Sequence, residues 1–122
     1  MNTFARTLVL AGLGLFAASA PAFAHAHLKS ANPPINGTAS SPSELDLMFS
    51  EGLNLKFTGV KLMGPDKAAV TTGDATLGSS GDTTLVVPVT GTLAAGTYMV
   101  AWHALSTDGH KTTGTYKFTV KP

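Results

Sequence analysis

The stretch Gly96–Val120, GTYMVAWHALSTDGHKTTGTYKFTV, decides the fold. In an extended chain, successive side chains point to opposite faces. Tyr98, Val100, Trp102 and Ala104 therefore share one face, and Met99, Ala101, His103 and Leu105 share the other. After Ser106-Thr107-Asp108-Gly109-His110 the pattern resumes, with Tyr116, Phe118 and Val120 turned inward. Two β-branched and aromatic runs separated by a short polar, glycine-bearing segment predict a β-hairpin.

Working back from this hairpin, alternation recurs. Leu45, Leu47 and Phe49 alternate with Glu44, Asp46 and Met48, which predicts a half-buried strand. A strand is expected over Phe57 to Met63, ending at Gly64-Pro65-Asp66. A short edge strand is expected over Ala68 to Thr71, and another strand over Thr83 to Val87 with Pro88 at an edge or bulge. His25 to Ser30 is expected to form the first strand. Asn32-Pro33-Pro34-Ile35-Asn36-Gly37 reads as a loop, because prolines cannot donate ladder bonds and Asn-Gly favours a turn. Gly73 to Thr84 reads as a connection. About seven strands with little helix evidence predict an all-β fold, an immunoglobulin-like Greek-key sandwich or barrel.

Upstream of these strands the chain opens MNTFARTLVLAGLGLFAASAPAFA. Arg6 supplies a positive start, Leu8 to Ala18 is apolar and uncharged, and Ala22-Phe23-Ala24 is a small-x-small site. This pattern predicts an export signal over residues 1–24, whose apolar run is too short to span a bilayer. A single mature domain over residues 25–122 follows. A cut after Ala26, releasing a chain that begins at His27, is the alternative.

The mature part holds seven lysines, no arginine and seven carboxylates, and cysteine is absent. No basic run points to nucleic acid, and no second apolar stretch points to a membrane anchor. Without cysteine the fold must stand on packing, and any metal site is restricted to His, Met, carboxylate and the chain terminus. A monomer is expected.

The chain has four histidines, and two lie in AFAHAH, where the export signal ends. If His25 becomes residue one, its free amine and its imidazole can chelate one ion together. The amine's ordinary pKa is near ~8, so a strongly acidic divalent metal can displace its proton. Asp108 and His110 lie two apart, roughly 6.5–7 Å at Cα in extended chain, and can converge on the same ion. Amine, two imidazoles and a carboxylate suit a tetragonal ion. The stability order favours Cu(II), with Ni(II) and Zn(II) as weaker candidates.

HAHLKSANPPINGT, LDLMFSEGLNLKFTGVKL and GTYMVAWHALSTDGHKTTGTYKFTV together resemble the CopC family of periplasmic copper-binding proteins, over essentially the whole mature chain. The resemblance implies a cupredoxin-like or Ig-like barrel in the periplasm, acting in copper homeostasis or resistance. It also implies one Cu(II) per chain, held by the mature N-terminal His25 with Asp108 and His110 of an S-x-D-x-H motif. A membrane copper importer of CopD type or a multicopper oxidase is the implied partner. Some members add a Cu(I) site from a methionine-rich loop; Met48, Met63 and Met99 form no cluster in the sequence, so one Cu(II) site is expected.

Two further residues are candidates. His27 is either a group orienting Asp108 or a plain surface residue. Glu51, in FSEG, is either near the copper, as the resemblance suggests, or a solvated turn carboxylate. His103 reads as a satisfied strand histidine and Trp102 as core. Among rival functions, a Ser106–Asp108–His110 hydrolase fails because Ser106 and His110 would lie about 13 Å apart in extended chain. A histidine-brace copper oxygenase would share the N-terminal histidine, but Asp108 would favour Cu(II) and hinder redox cycling. An Ig-like interaction module with incidental metal binding is the third reading. No enzymatic activity is expected.

Overall fold

The structure, a computed structural model, describes residues 26–79 and 81–122. His25 and the expected export signal over residues 1–24 lie outside the described residues. Among the described residues nine strands form two sheets. They are β1 (Leu28–Asn32), β2 (Thr38–Ala39), β3 (Glu44–Phe49), β4 (Gly59–Met63), β5 (Ala69–Val70), β6 (Thr76–Leu77), β7 (Thr84–Pro88), β8 (Gly96–Leu105) and β9 (Lys111–Val120). One sheet runs β1-β3-β7-β6 and the other β2-β9-β8-β4-β5, so the chain crosses repeatedly between layers, as expected of a Greek-key sandwich. No helix among the described residues is long and apolar enough to cross a membrane.

The quoted hairpin is the backbone of the larger sheet. β8 and β9 pair antiparallel over ten residues each, from Gly96↔Val120 to Leu105↔Lys111. Their inward residues Tyr98, Val100, Ala104, Tyr116, Phe118 and Val120 are buried. They face Leu45, Leu47 and Phe49 of β3, and Leu85 and Val87 of β7, across the sandwich. Each such apolar side chain removed from water contributes about 1.5–3 kcal/mol, which is what holds a cysteine-free domain together. Rings reinforce the core at two places. Tyr98 stacks on Phe118 with centroids 5.5 Å apart, and Phe49 meets Trp102 edge-on at 5.1 Å. Trp102 lies across β9 only because its register partner is Gly114, where a Cβ would come within 2.5 Å of the indole Cζ2.

Several expectations are corrected. Of the first strand expected over His25 to Ser30, Ala26 and His27 lie ahead of β1, which runs from Leu28 to Asn32, and His25 lies outside the described residues. Ahead of Leu28 the chain is fixed by Thr112 and Ser50 side chains, and the register shifts between Leu28 and Ser30. The strand expected over Phe57 to Met63 starts only at Gly59, as β4, because Leu55–Phe57 winds into a 3-10 turn capped by the Asn54 side chain. Phe57 is consequently 52% exposed. The connection from Gly73 to Thr84 contains β6, which pairs with β7. β2, which runs parallel to β9, is a further strand with no periodicity to reveal it.

Candidate metal site

The β8–β9 turn is built around one serine. Ser106 is 2% exposed, and its hydroxyl donates to Asp108 Oδ1 and accepts from the His110 backbone N–H at 3.2 Å. Its own N–H donates to the His110 carbonyl at 2.9 Å, and Gly109 N–H donates to the Ser106 carbonyl at 2.9 Å. Gly109 sits at φ +95°, a conformation that costs glycine little and other residues considerably more. The segment is therefore a closed turn, where the sequence suggested extended chain.

Within the turn, Asp108 and His110 already touch. His110 Nδ1 lies 3.2 Å from Asp108 Oδ1. The Ser106 hydroxyl, and after it the His110 ring, hold the Asp108 carboxyl below the usual carboxylate range. Both contacts fall on Oδ1. Asp108 and His110 are exposed, so the pair faces solvent while the serine that holds it is buried.

A second segment packs against this turn. Thr107 N–H donates to the Gly52 carbonyl at 3.0 Å, Asn54 N–H to the Leu105 carbonyl at 2.8 Å, and Leu53 bridges to Ser106. Glu51, half-exposed, stands next to Gly52 and so lies at the same end of the sandwich. The third segment is the N-terminal arm. Ala26 is fully buried, and its carbonyl accepts from the Thr112 hydroxyl at 2.8 Å. His27 is exposed and clamped through its backbone, with N–H donating to Ser50 Oγ at 2.9 Å and carbonyl accepting from Ser50 N–H at 2.8 Å. Thr112 is two residues beyond His110, so the arm is fixed beside the turn.

Among the described residues no group of three or more His, Cys, Asp or Glu side chains gathers to hold a metal ion. Of the expected ligands, the fold brings Asp108 and His110 together, and His25 lies outside the described residues. Sequence reasoning missed the supports. Ser106 stood in the motif but was weighed only as a failed nucleophile, while Ser50 and Thr112 carried no signal at all. The hydrolase objection also needs a different reason. Ser106 and His110 are neighbours in the turn, yet the serine proton goes to Asp108 and the hydroxyl is buried, so Ser106 is not presented to solvent as a nucleophile. Met63 and Met99, scattered in sequence, stand directly opposite one another across β4 and β8, whereas Met48 belongs to the other sheet.

A small, mainly antiparallel β-sandwich with a buried-serine turn presenting Asp and His at one end is the class these features define. Within that class the chain belongs to the CopC family, whose domain model matches residues 28–121. Protein YobA of Escherichia coli strain K12 is 41% identical over 100 residues, 81% of each chain. Copper resistance protein C of Pseudomonas syringae pv. tomato is 36% identical over 120 residues, covering 94% of this chain and 93% of its own. The crystal structure of PcoC, a methionine-rich copper resistance protein from Escherichia coli, superposes with a TM-score of 0.72 at 37% identity. That match covers 80% of this chain and 100% of PcoC.

Proposed function

We propose that this chain is an exported Cu(II)-binding protein that sequesters or hands on copper in homeostasis or resistance. It takes one ion per chain, held by the amine and imidazole of a mature N-terminal His25 together with Asp108 and His110. The periplasm is its compartment, a CopD-type importer or a multicopper oxidase its recipient, and no enzymatic step belongs to this reading. Relatives named copper resistance protein C and the copper resistance protein PcoC support the copper chemistry.

The observation that carries the ligand assignment is the 2.8 Å bond from Thr112 to the Ala26 carbonyl. It ties the residue after His25 to the residue two beyond His110, so the terminal chelate and the turn need only side-chain reach to share an ion. It also favours scission after Ala24, since a cut after Ala26 would discard the buried anchor. In the turn, an oxygen and a nitrogen 3.2 Å apart match the spacing of neighbouring donors that each sit about 2.0–2.2 Å from one ion. The ion then takes the place of the proton shared between them.

The test compares Cu(II) affinity, by competition with a chelator, for the chain beginning at His25 and for the same chain extended by one glycine or acetylated. The blocked forms are expected to bind about a thousandfold more weakly, because the chelate loses its amine. Equal affinity would remove His25 from the site. For the unblocked chain, affinity should fall steadily from pH 8 to pH 5 as protons compete for amine and imidazoles.

A further inference from the structure

Charge is divided unevenly between the two sheets. Strands β2, β4, β5, β8 and β9 contain no Asp or Glu, while their solvent-facing positions include Lys61, Lys111 and Lys117. Glu44 and Asp46 belong to β3 in the other sheet. Among the described residues the sole ion pair is His110 with Asp108, so none of the seven lysines is neutralised by a carboxylate.

One cluster on this basic face lies at the end next to the β8–β9 turn. A cavity of about 320 Å³ is lined there by Lys56, Phe57, His103, Lys111 and Thr113, among others. The three basic residues come from separate elements: the 3-10 turn, β8 and β9. His103 faces outward between Gly59 and Thr113, and its ring lies over β4, since a Cβ on Gly59 would be 3.1 Å from Cε1. Lys56 Nζ lies 5.7 Å above the Phe57 ring, which places the ammonium at the cavity rim beside an exposed aromatic wall. The nearest carboxylate in sequence, Asp108, is engaged by Ser106 and His110.

We propose that Lys56, His103 and Lys111 form a binding site for a small oxyanion, a carboxylate or phosphate group. Two ammonium groups and an imidazole, brought by three elements to the lining of one concavity, can attract an anion and supply N–H groups to it, and the neighbouring Thr113 hydroxyl can donate as well. The proposal does not rest on the copper reading, because it uses none of the residues assigned to the metal. The oxyanion can come free in solution or on a lipid headgroup.

The test is an amide and imidazole NMR titration of the metal-free chain beginning at His25. The arms are inorganic phosphate, citrate, and sodium chloride at matched ionic strength, plus phosphatidylglycerol and phosphatidylcholine vesicles. Saturable shifts at residues 56–58, 103 and 111–113 with phosphate or citrate, but not chloride, are expected. The dissociation constant should be about 1–10 mM. Lys56→Gln with Lys111→Gln should weaken it about tenfold or more, while Lys61→Gln with Lys117→Gln on the same face should change it less than about threefold. Broadening at these residues with phosphatidylglycerol vesicles alone would also support the site and assign the anion to lipid. Shifts matched by chloride, shifts spread evenly over all lysines, or equal loss in both double variants would overturn it.

Discussion

Two aspartates show how differently one side chain can be used. Asp108 stands in solvent at the β8–β9 turn, where the Ser106 hydroxyl and His110 favour its charged form and hold its carboxyl low. Asp46 stands in the middle of β3, between Asn32 of β1 and Val86 of β7, with its Oδ1 buried and unpartnered among the described residues. Burial, reinforced by Glu44 two residues away on the same face, pushes it up to about 6. One carboxylate is organised to be an anion, and the other is kept against its preference. The two therefore act on stability in opposite directions. Asp108 contributes stability above the ordinary carboxylate range that is lost as pH falls through its lowered value. Asp46 detracts from stability above about pH 6, and its effect vanishes below the ordinary range near ~3.9.

The strongest way to break this comparison is to remove the group that organises Asp108. Ser106→Ala deletes the hydroxyl that donates to Asp108 and accepts from His110 N–H. Groups that orient metal ligands typically matter by about 10–100-fold in affinity. Cu(II) affinity by chelator competition should fall within that range, with circular dichroism showing the sandwich retained. An unchanged affinity would mean that the turn does not depend on its serine, and Asp108 would then be no better prepared than any exposed carboxylate.

The same contrast explains what was legible in the sequence. Tyr98, Val100 and Ala104 alternate because one face of a long strand is buried, so β8 and β9 could be read from periodicity alone. β2 and β6 are two residues long, too short for any period, and exist because β9 and β7 offer them an edge. Phe57 continued the alternation of its neighbours, and only the Asn54 cap shows that it turns outward. For the candidate site, Asp108 and His110 were visible as a spaced pair, whereas Ser106's role depends on a chain reversal at Gly109 that extended geometry could not anticipate. Thr112 and Ser50 were invisible because they act through bonds to the N-terminal arm across 86 and 23 residues.

A second experiment sharpens the comparison from the other side. Asp46→Asn removes the charge while keeping the shape. Its folded state no longer resists ionisation, so at pH 7 the variant should be about 1–2 kcal/mol more stable than the parent. The gain should shrink as pH falls through about 6 and be gone near pH 4, because the parent's Asp46 is by then protonated. Urea unfolding at pH 7, 6, 5 and 4 reads this directly. A gain that does not vary with pH would show that shape or local packing, not charge, is responsible.

The smallest effect belongs to Tyr116, whose hydroxyl is also buried and unpartnered among the described residues. Burial first, and the charge of Asp46 second, push its ionisation above the ordinary tyrosine range, so at neutral pH it remains a neutral hydroxyl. A buried donor with no acceptor loses its hydration without compensation, and removing both the group and the loss can be neutral or stabilising. Tyr116→Phe should therefore raise stability by about 0–1 kcal/mol at pH 7. Because Asp46 changes charge between pH 7 and pH 5, the change should be the same at pH 5 only where that carboxylate does not act on the hydroxyl. Measured in the Asp46→Asn background, it should differ from the single-variant value only if the Asp46 carboxylate acts on the hydroxyl. A clear loss of stability would instead mean that this hydroxyl has a partner, and Asp46 would be the first carboxylate to examine for it.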